Sequence, residues 1–251
     1  EEEARFAEEA AAEEEARVAA AAEQERLDTA EEETAAEETA TEEPRTLEHI
    51  IDRAVDDLNE HYHLEDRVLG EGRFGKVVAA VGTVGATRGK AVALKELDIG
   101  ALEEDEEALE MLEAEVLALR RAQGTEHVVA LHEVIAATDA VFLAMERVPG
   151  RELFELVEER GALDLQLVRS LVRQLLSALT SLAKLGVVHR DVKPENLMIT
   201  EEEGGASRLT LIDFGYAALL GTGAGESGGA DGAAGEGLLS GVAGSPEYAA
   251  P

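Results

Sequence analysis

The sequence predicts an α+β fold in two unequal parts, a five-stranded antiparallel sheet with one prominent helix followed by a mainly helical portion. Three observations predict it. Short β-branched and apolar runs recur at 63–69, 77–81, 91–97, 128–134 and 141–146, separated by turn residues such as those of 82–90. A helical period interrupts them at 101–122, where Leu109, Leu112, Val116 and Leu119 share one side opposite a strongly acidic one. After Pro149–Gly150 the pattern turns helical, over 152–160 and then over a long apolar-rich stretch at 165–185.

The first strand is preceded by two regions of different character. Residues 1–43 hold 17 Glu, one Asp and three Arg, a net −15 of the chain's −33. Glu and Ala favour helix locally, but Phe6, Val18 and Leu27 are too sparse to form a docking stripe or a heptad series. A solvated acidic tail is the expectation. Pro44 ends that tract, and Ile50, Ile51, Ala54, Val55 and Leu58 then fall at helical spacing, predicting a short amphipathic helix over 47–59. The expected organisation is an acidic segment at 1–43, a linker with that helix at 44–61, and a folded domain at 62–251.

Charge and composition exclude several classes of function. A chain this acidic does not attract nucleic acid or an anionic membrane surface through bulk charge. With no cysteine it forms no disulfide, thiolate metal site or cysteine nucleophile. No run approaches the roughly 18 apolar residues of a membrane helix, and no signal-peptide pattern opens the chain. A cytoplasmic or nuclear protein is expected. His49, His61 and His63 lack the motif spacing of a metal site.

Four motifs carry chemistry. Gly70-Glu71-Gly72-Arg73-Phe74-Gly75 runs into Val77-Val78-Ala79-Ala80-Val81, a good strand and a poor helix start. The glycines therefore belong to a hairpin whose backbone can close over phosphates, unlike the strand-to-helix turn of dinucleotide-binding proteins. Eighteen residues past Val77, Lys95 ends the apolar run Val92-Ala93-Leu94. A lysine opposite such a hairpin needs a carboxylate to hold it. Glu115, flanked by Val116 and Leu119, is better placed than Glu110 or Glu113. The octet His189-Arg190-Asp191-Val192-Lys193-Pro194-Glu195-Asn196 combines a carboxylate able to take or orient a hydroxyl proton, a cation two residues on, and a neutral oxygen ligand suited to Mg²⁺. Seventeen residues after Asn196 stands Asp213-Phe214-Gly215, a second oxygen ligand at the end of Leu209–Ile212.

Together these motifs resemble the eukaryotic protein kinase family, Ser/Thr type and similar to calcium- and calmodulin-dependent kinases, from about Tyr62 to Pro251. The resemblance implies a two-lobed fold, with an N-lobe at 62–148 and part of a C-lobe at 149–251, that uses ATP and Mg²⁺. It implies that Gly70, Gly72, Phe74 and Gly75 cover the phosphates, that Lys95 pairs with Glu115, and that Val77, Ala93 and Met198 sandwich adenine. Met145 would be the gatekeeper and Glu146 to Val148 the hinge. Asp191 would be the catalytic base, Lys193 would steady the γ-phosphate, and Asn196 and Asp213 would hold Mg²⁺. Leu119, Leu131, His189 and Phe214 match the stacked column of the assembled state. Lys193 and Ser245 match the Ser/Thr branch.

Further expectations follow from the same resemblance. Glu152 and Glu195 match positions that read basic residues ahead of the target hydroxyl, Glu152 also matching a ribose contact. Arg190 suggests pairing with a phosphorylated activation loop, Ser240 and then Ser227 being the candidates. Protein substrates with Ser or Thr acceptors are the implied partners. The family's last motif breaks off at Ala250-Pro251, so the chain reads as a piece of a longer product. Residues 62–251 alone are expected to expose apolar C-lobe surface and not to turn over. The alternative is a binding scaffold without turnover, whose usual mark is loss of the lysine or one of the two aspartates; Lys95, Asp191 and Asp213 are all present.

Overall fold

The computed structural model describes residues 47–72, 75–220, 244–245 and 248. Its main sheet has six strands rather than five. Strand β1 is Arg53–Ala54, β2 Tyr62–Gly72, β3 Gly75–Gly82, β4 Ala91–Asp98, β5 Leu131–Ala137 and β6 Ala140–Glu146. They lie in the order β1-β5-β6-β4-β3-β2, antiparallel except that β1 runs parallel to β5.

The extra strand overturns the helix expected over 47–59, which is a 3₁₀ turn at Leu47–His49, then β1, then a second 3₁₀ turn at Leu58–Glu60. A helix of that length is marginal in isolation. Tertiary bonds outcompete it here, since Asp52 N–H donates to Val134 O at 2.9 Å and Val55 N–H to Ala136 O at 2.9 Å, covering the β5 edge.

Alternation fixes what each side of the sheet meets. Val77 pairs with Lys95, Ala93 with Met145 and Lys95 with Leu143, so Val77, Ala93, Lys95 and Met145 share one face. The other face carries Val92, Leu94 and Ala144 into a core with Tyr62, Ile135, Phe142 and Leu58. Burial of the Tyr62 hydroxyl, together with its bond to Glu133, raises its pKa well above the ordinary tyrosine value.

The acidic helix expected over 101–122 is two helices, α1 at Ile99–Glu104 and α2 at Glu106–Arg121. Asp105 breaks it: with φ −127° and ψ 97° it leaves the helical region and caps α2 by accepting the Ala108 N–H at 3.1 Å. Helix α2 buries Leu112, Val116 and Leu119, and also Glu115, toward the sheet.

Strand β5 begins three residues later than expected because Val128 and Val129 serve the second lobe. Val129 N–H donates to Leu211 O at 3.0 Å and Leu211 N–H to His127 O at 2.8 Å. That lobe contains β7 at Arg151–Glu152, helix α3 at Leu153–Arg160, helix α4 at Leu165–Lys184, and the short strands β8 at Val187–Val188, β9 at Leu197–Glu201, β10 at Ser207–Leu211 and β11 at Ala218–Leu219. Strands β10, β9 and β7 form one small sheet and β11 with β8 another. Gln174 of α4 fastens the larger one, its Oε1 accepting the Leu209 N–H at 2.8 Å and its Nε2 donating to Ser207 O at 2.9 Å. On α4, Leu165, Val168, Val172 and Leu176 form an exposed row at i, i+3, i+7 and i+11. No helix among the described residues is long and apolar enough to cross a membrane.

Candidate functional site

The glycine-rich hairpin is built as the motif predicts, with Gly72 paired to Gly75 and Gly70 to Val77. Gly75 is obligatory for steric reasons: its φ is +153°, and a Cβ there would stand 1.8 Å from Glu96 O. Around Gly70 a Cβ would meet nothing within 4 Å, so the space beside that backbone is open. Phe74 lies outside the described residues.

Lys95 and Glu115 meet across the sheet–helix boundary, Nζ standing 2.7 Å from both carboxylate oxygens. Their side chains are 15% and 4% exposed, so this is a buried pair. Burial drives the Lys95 amine down, but the carboxylates of Glu115 and Asp213 outweigh it and hold the amine above its ordinary value. Asp213 Oδ1 lies 4.0 Å from the same Nζ and accepts the Gly215 N–H at 3.2 Å. Asp213 itself has φ +60°, a left-handed conformation that is uncommon outside glycine and turns its carboxylate back toward Lys95. Gly215 leaves room for this, since a Cβ there would lie 3.5 Å from Lys95 Nζ and 3.2 Å from Asp213 Oδ1.

A second cluster forms around Asp191, which is 3% exposed. Its Oδ2 accepts from Lys193 Nζ at 2.8 Å and Asn196 Nδ2 at 2.9 Å; its Oδ1 accepts the Ser245 N–H at 2.9 Å. Lys193 Nζ also donates to Ser245 Oγ at 2.8 Å. Burial pushes the Asp191 carboxyl up, but the bonds from Lys193 and Ser245 prevail and hold it below the usual aspartate value. Lys193 is held above its ordinary value, its partner Asp191 outweighing burial. Gly244 permits the close approach of this segment, because at φ +95° a Cβ would fall 2.1 Å from Arg190 O.

The two clusters are joined through Ile212, whose N–H donates to Asn196 O at 2.9 Å and whose carbonyl lies 3.1 Å from His189 Nε2. A carbonyl only accepts, and the Asp191 N–H that meets His189 Nδ1 at 3.3 Å only donates, so His189 is the neutral Nε2–H tautomer. Its ring meets Phe214 edge-on at 4.7 Å. Leu119, Leu131, His189 and Phe214 are all buried.

Burial lowers the folded pKa of His189, with the Ile212 carbonyl and the two aspartates opposing. The unfolded chain therefore takes up the proton first, and stability falls as pH drops through the unfolded value of about 6.5. We expect Tm to decline from pH 7.5 to 5.5. His132, also lowered by burial, contributes in the same direction. Differential scanning fluorimetry of His189→Gln should show a shallower decline; an identical slope contradicts the assignment.

Other predicted residues occupy distinct places. Met145 is half-buried against the core, and the Glu146 N–H is bonded to Ala130 O at 2.8 Å. Met198 pairs with Glu152 in the small sheet. Arg190 adopts φ +63° and its Nε donates to the Tyr216 carbonyl at 2.6 Å. Ser227 and Ser240 lie outside the described residues. His49 faces Glu113, and His61 faces Arg53. Sequence reasoning missed Asp52 and Arg120, which meet beside α2 at 2.8 Å. A lone Asp and Arg separated by 68 residues leave no pattern to read.

The donor set fits a hard divalent cation. Asn196 turns its Nδ2 into Asp191, leaving the amide oxygen at the opposite end, and the Asp213 side chain is 44% exposed. Residues 62–251 match the protein kinase domain model. The chain belongs to the protein kinase family. Among the relatives of this kinase, CBL-interacting protein kinase 15 of Oryza sativa subsp. japonica is 35% identical over 77% of the chain and 40% of its own length. CBL-interacting serine/threonine-protein kinase 16 of Arabidopsis thaliana is 36% identical over 79% of the chain and 40% of its own. The maternal embryonic leucine zipper kinase of Xenopus tropicalis is 35% identical over 79% and 27% respectively. The chain thus spans less than half the length of these relatives.

Proposed function

We propose that this kinase domain transfers the γ-phosphoryl group of ATP to Ser or Thr hydroxyls of protein substrates. The observation that carries the reading is the ring Asp191–Lys193–Ser245, in which one ammonium bridges the carboxylate and the serine hydroxyl at 2.8 Å each. Asp191 orients the acceptor hydroxyl and receives its proton at a carboxylate oxygen. Lys193 offers positive charge to the group in transit, and Lys95, held by Glu115, steadies the phosphates. Asn196 and Asp213 would hold Mg²⁺, which when bound neutralises phosphate charge. Val77, Ala93 and Met198, with Met145 behind and Glu146 to Val148 at the edge, would receive the adenine.

A basic residue ahead of the acceptor would suit Glu152 and Glu195. Glu195 Oε2 is buried without a hydrogen-bond partner, and Glu152 is raised above its ordinary value by burial and by Glu155 and Glu195. Unpaired buried carboxylate oxygen favours an incoming cation. The test is a peptide library carrying Ser, Thr or Tyr acceptors, run on the intact protein. Ser and Thr peptides with an upstream Arg should lead, and Glu195→Gln should raise their KM roughly tenfold. Preferential labelling of Tyr would sink the Ser/Thr reading; indifference to Arg would sink only the basic preference.

The apolar row on α4 calls for cover, with Leu165 60% and Leu176 57% exposed. Residues 47–251, which keep Ile50 and β1, should turn over poorly when purified alone and bind hydrophobic dye, whereas robust turnover would contradict this.

A further inference from the structure

Residues 47–56 precede the span matched to the kinase domain, yet they are built into its core. Ile50 is 0% exposed and shares a cluster with Val116, Leu119 and Val134. Asp52 Oδ2 accepts the Val134 N–H at 2.7 Å, while its Oδ1 accepts from Arg120 Nη2 at 2.8 Å. The same Nη2 donates to Ile50 O at 2.6 Å. Two turns earlier along α2, His49 Nε2 lies 3.0 Å from Glu113. The segment thus grips the sheet through β1 and α2 through Arg120, five residues beyond Glu115.

We infer that this segment is a strap for α2, and that Asp52 and Arg120 are positioning residues that hold Glu115 against Lys95. The inference rests on the kinase reading for its consequence. Helix α2 otherwise meets the sheet through the apolar row Leu112, Val116 and Leu119 and through the Lys95–Glu115 pair. Apolar contact is non-directional, whereas a guanidinium held by a carboxylate and a carbonyl adds a directional constraint on the helix. An open cleft of about 290 Å³, lined by Asp52, Arg120, Gln123, Leu131, His132 and Glu133, borders the grip. Asp52 and Arg120 are 45% and 33% exposed, so as an ion pair they add little to global stability. Their effect is on where α2 sits.

The test is calorimetric titration of the intact protein with Mg·ATP, for Asp52→Ala and Asp52→Asn, each in the wild-type and Glu115→Gln backgrounds. Hydrogen exchange of residues 106–121 without nucleotide accompanies it. Asp52→Ala should weaken Mg·ATP about fivefold in the wild-type background and leave affinity unchanged in Glu115→Gln, the mark of coupled sites. Asp52→Asn, which keeps an acceptor for Val134, should fall between. Exchange over 106–121 should quicken. Unchanged affinity with only a lowered Tm, or equal losses in both backgrounds, overturns the strap. If wild type does not bind Mg·ATP, the kinase reading fails. Exchange then decides alone: quickened exchange in Asp52→Ala supports the strap, and unchanged protection of 106–121 overturns it.

Discussion

Replacing Asp191 with asparagine should lower phosphoryl transfer roughly 10³-fold in the intact protein while leaving Mg·ATP affinity within about threefold. Both carboxylate oxygens of Asp191 accept, two bonds at Oδ2 and one at Oδ1. An amide can keep only one accepting end. Its oxygen takes the doubly bonded position facing Lys193 and Asn196, which turns the NH₂ toward the Ser245 N–H, donor against donor. The acceptor hydroxyl loses its proton acceptor and the Ser245 N–H loses its partner, leaving Ser245 only its bond from Lys193, but the Lys95–Glu115 pair is untouched. Because the Asp191 carboxyl sits below its usual range, it is ionised throughout neutral and mildly acid pH, and the acid limb of the rate profile should not be its titration. A variant with wild-type turnover would remove Asp191 from the chemistry. One that also fails to bind Mg·ATP would show the damage to be structural. Wild type that binds Mg·ATP without any turnover would favour the scaffold alternative.

Lys95→Met should destabilise the fold by about 3 kcal/mol as well as abolish turnover, because it strands a buried carboxylate. Glu115 is 4% exposed on its side chain, and burial already pushes its pKa up, with Asp213 adding to the push and Lys95 opposing it. Without the ammonium its folded pKa rises further above the unfolded one. A raised carboxylate penalises the folded state at pH above that pKa, and the penalty fades as pH falls and the group is protonated. The Tm deficit of Lys95→Met relative to wild type should therefore be larger at pH 8 than at pH 6. The double variant Lys95→Met/Glu115→Leu should regain most of the lost stability while remaining inactive, since two apolar groups of similar volume replace the pair. Equal deficits in the single and double variants would show that the pair's burial is not what sets the loss.

Much of the site was legible because its chemistry is local in sequence. The octet 189–196 places carboxylate, ammonium and amide within one loop, and the structure gathers Asp191, Lys193 and Asn196 there. Lys95 was readable from its strand and Glu115 from the apolar neighbours that aim it inward. Two of the misses share one cause, competition from distant partners. Helical spacing at 50–58 was real, but β5 offered an open edge and Arg120 a cation, and these outweighed a marginal helix. Asp105 looked like one more acid on an acidic helix, yet its side chain caps the next one. Val128 and Val129 read as strand, but β10 claims them. The left-handed conformations of Arg190 and Asp213 carry no composition signal, because neither residue is glycine.

In the proposed Mg·ATP site beside Lys95, the Asp213 and Asn196 oxygens would complete the cation's ligands. This arrangement is tested most directly by calorimetric titration of the intact protein with ATP, with Mg²⁺ and with chelator, for wild type and Asp213→Asn. Saturable binding that depends on Mg²⁺ in wild type, and loses that dependence in Asp213→Asn, is the predicted result. Wild type that ignores ATP, or binds it equally well without Mg²⁺, would contradict it.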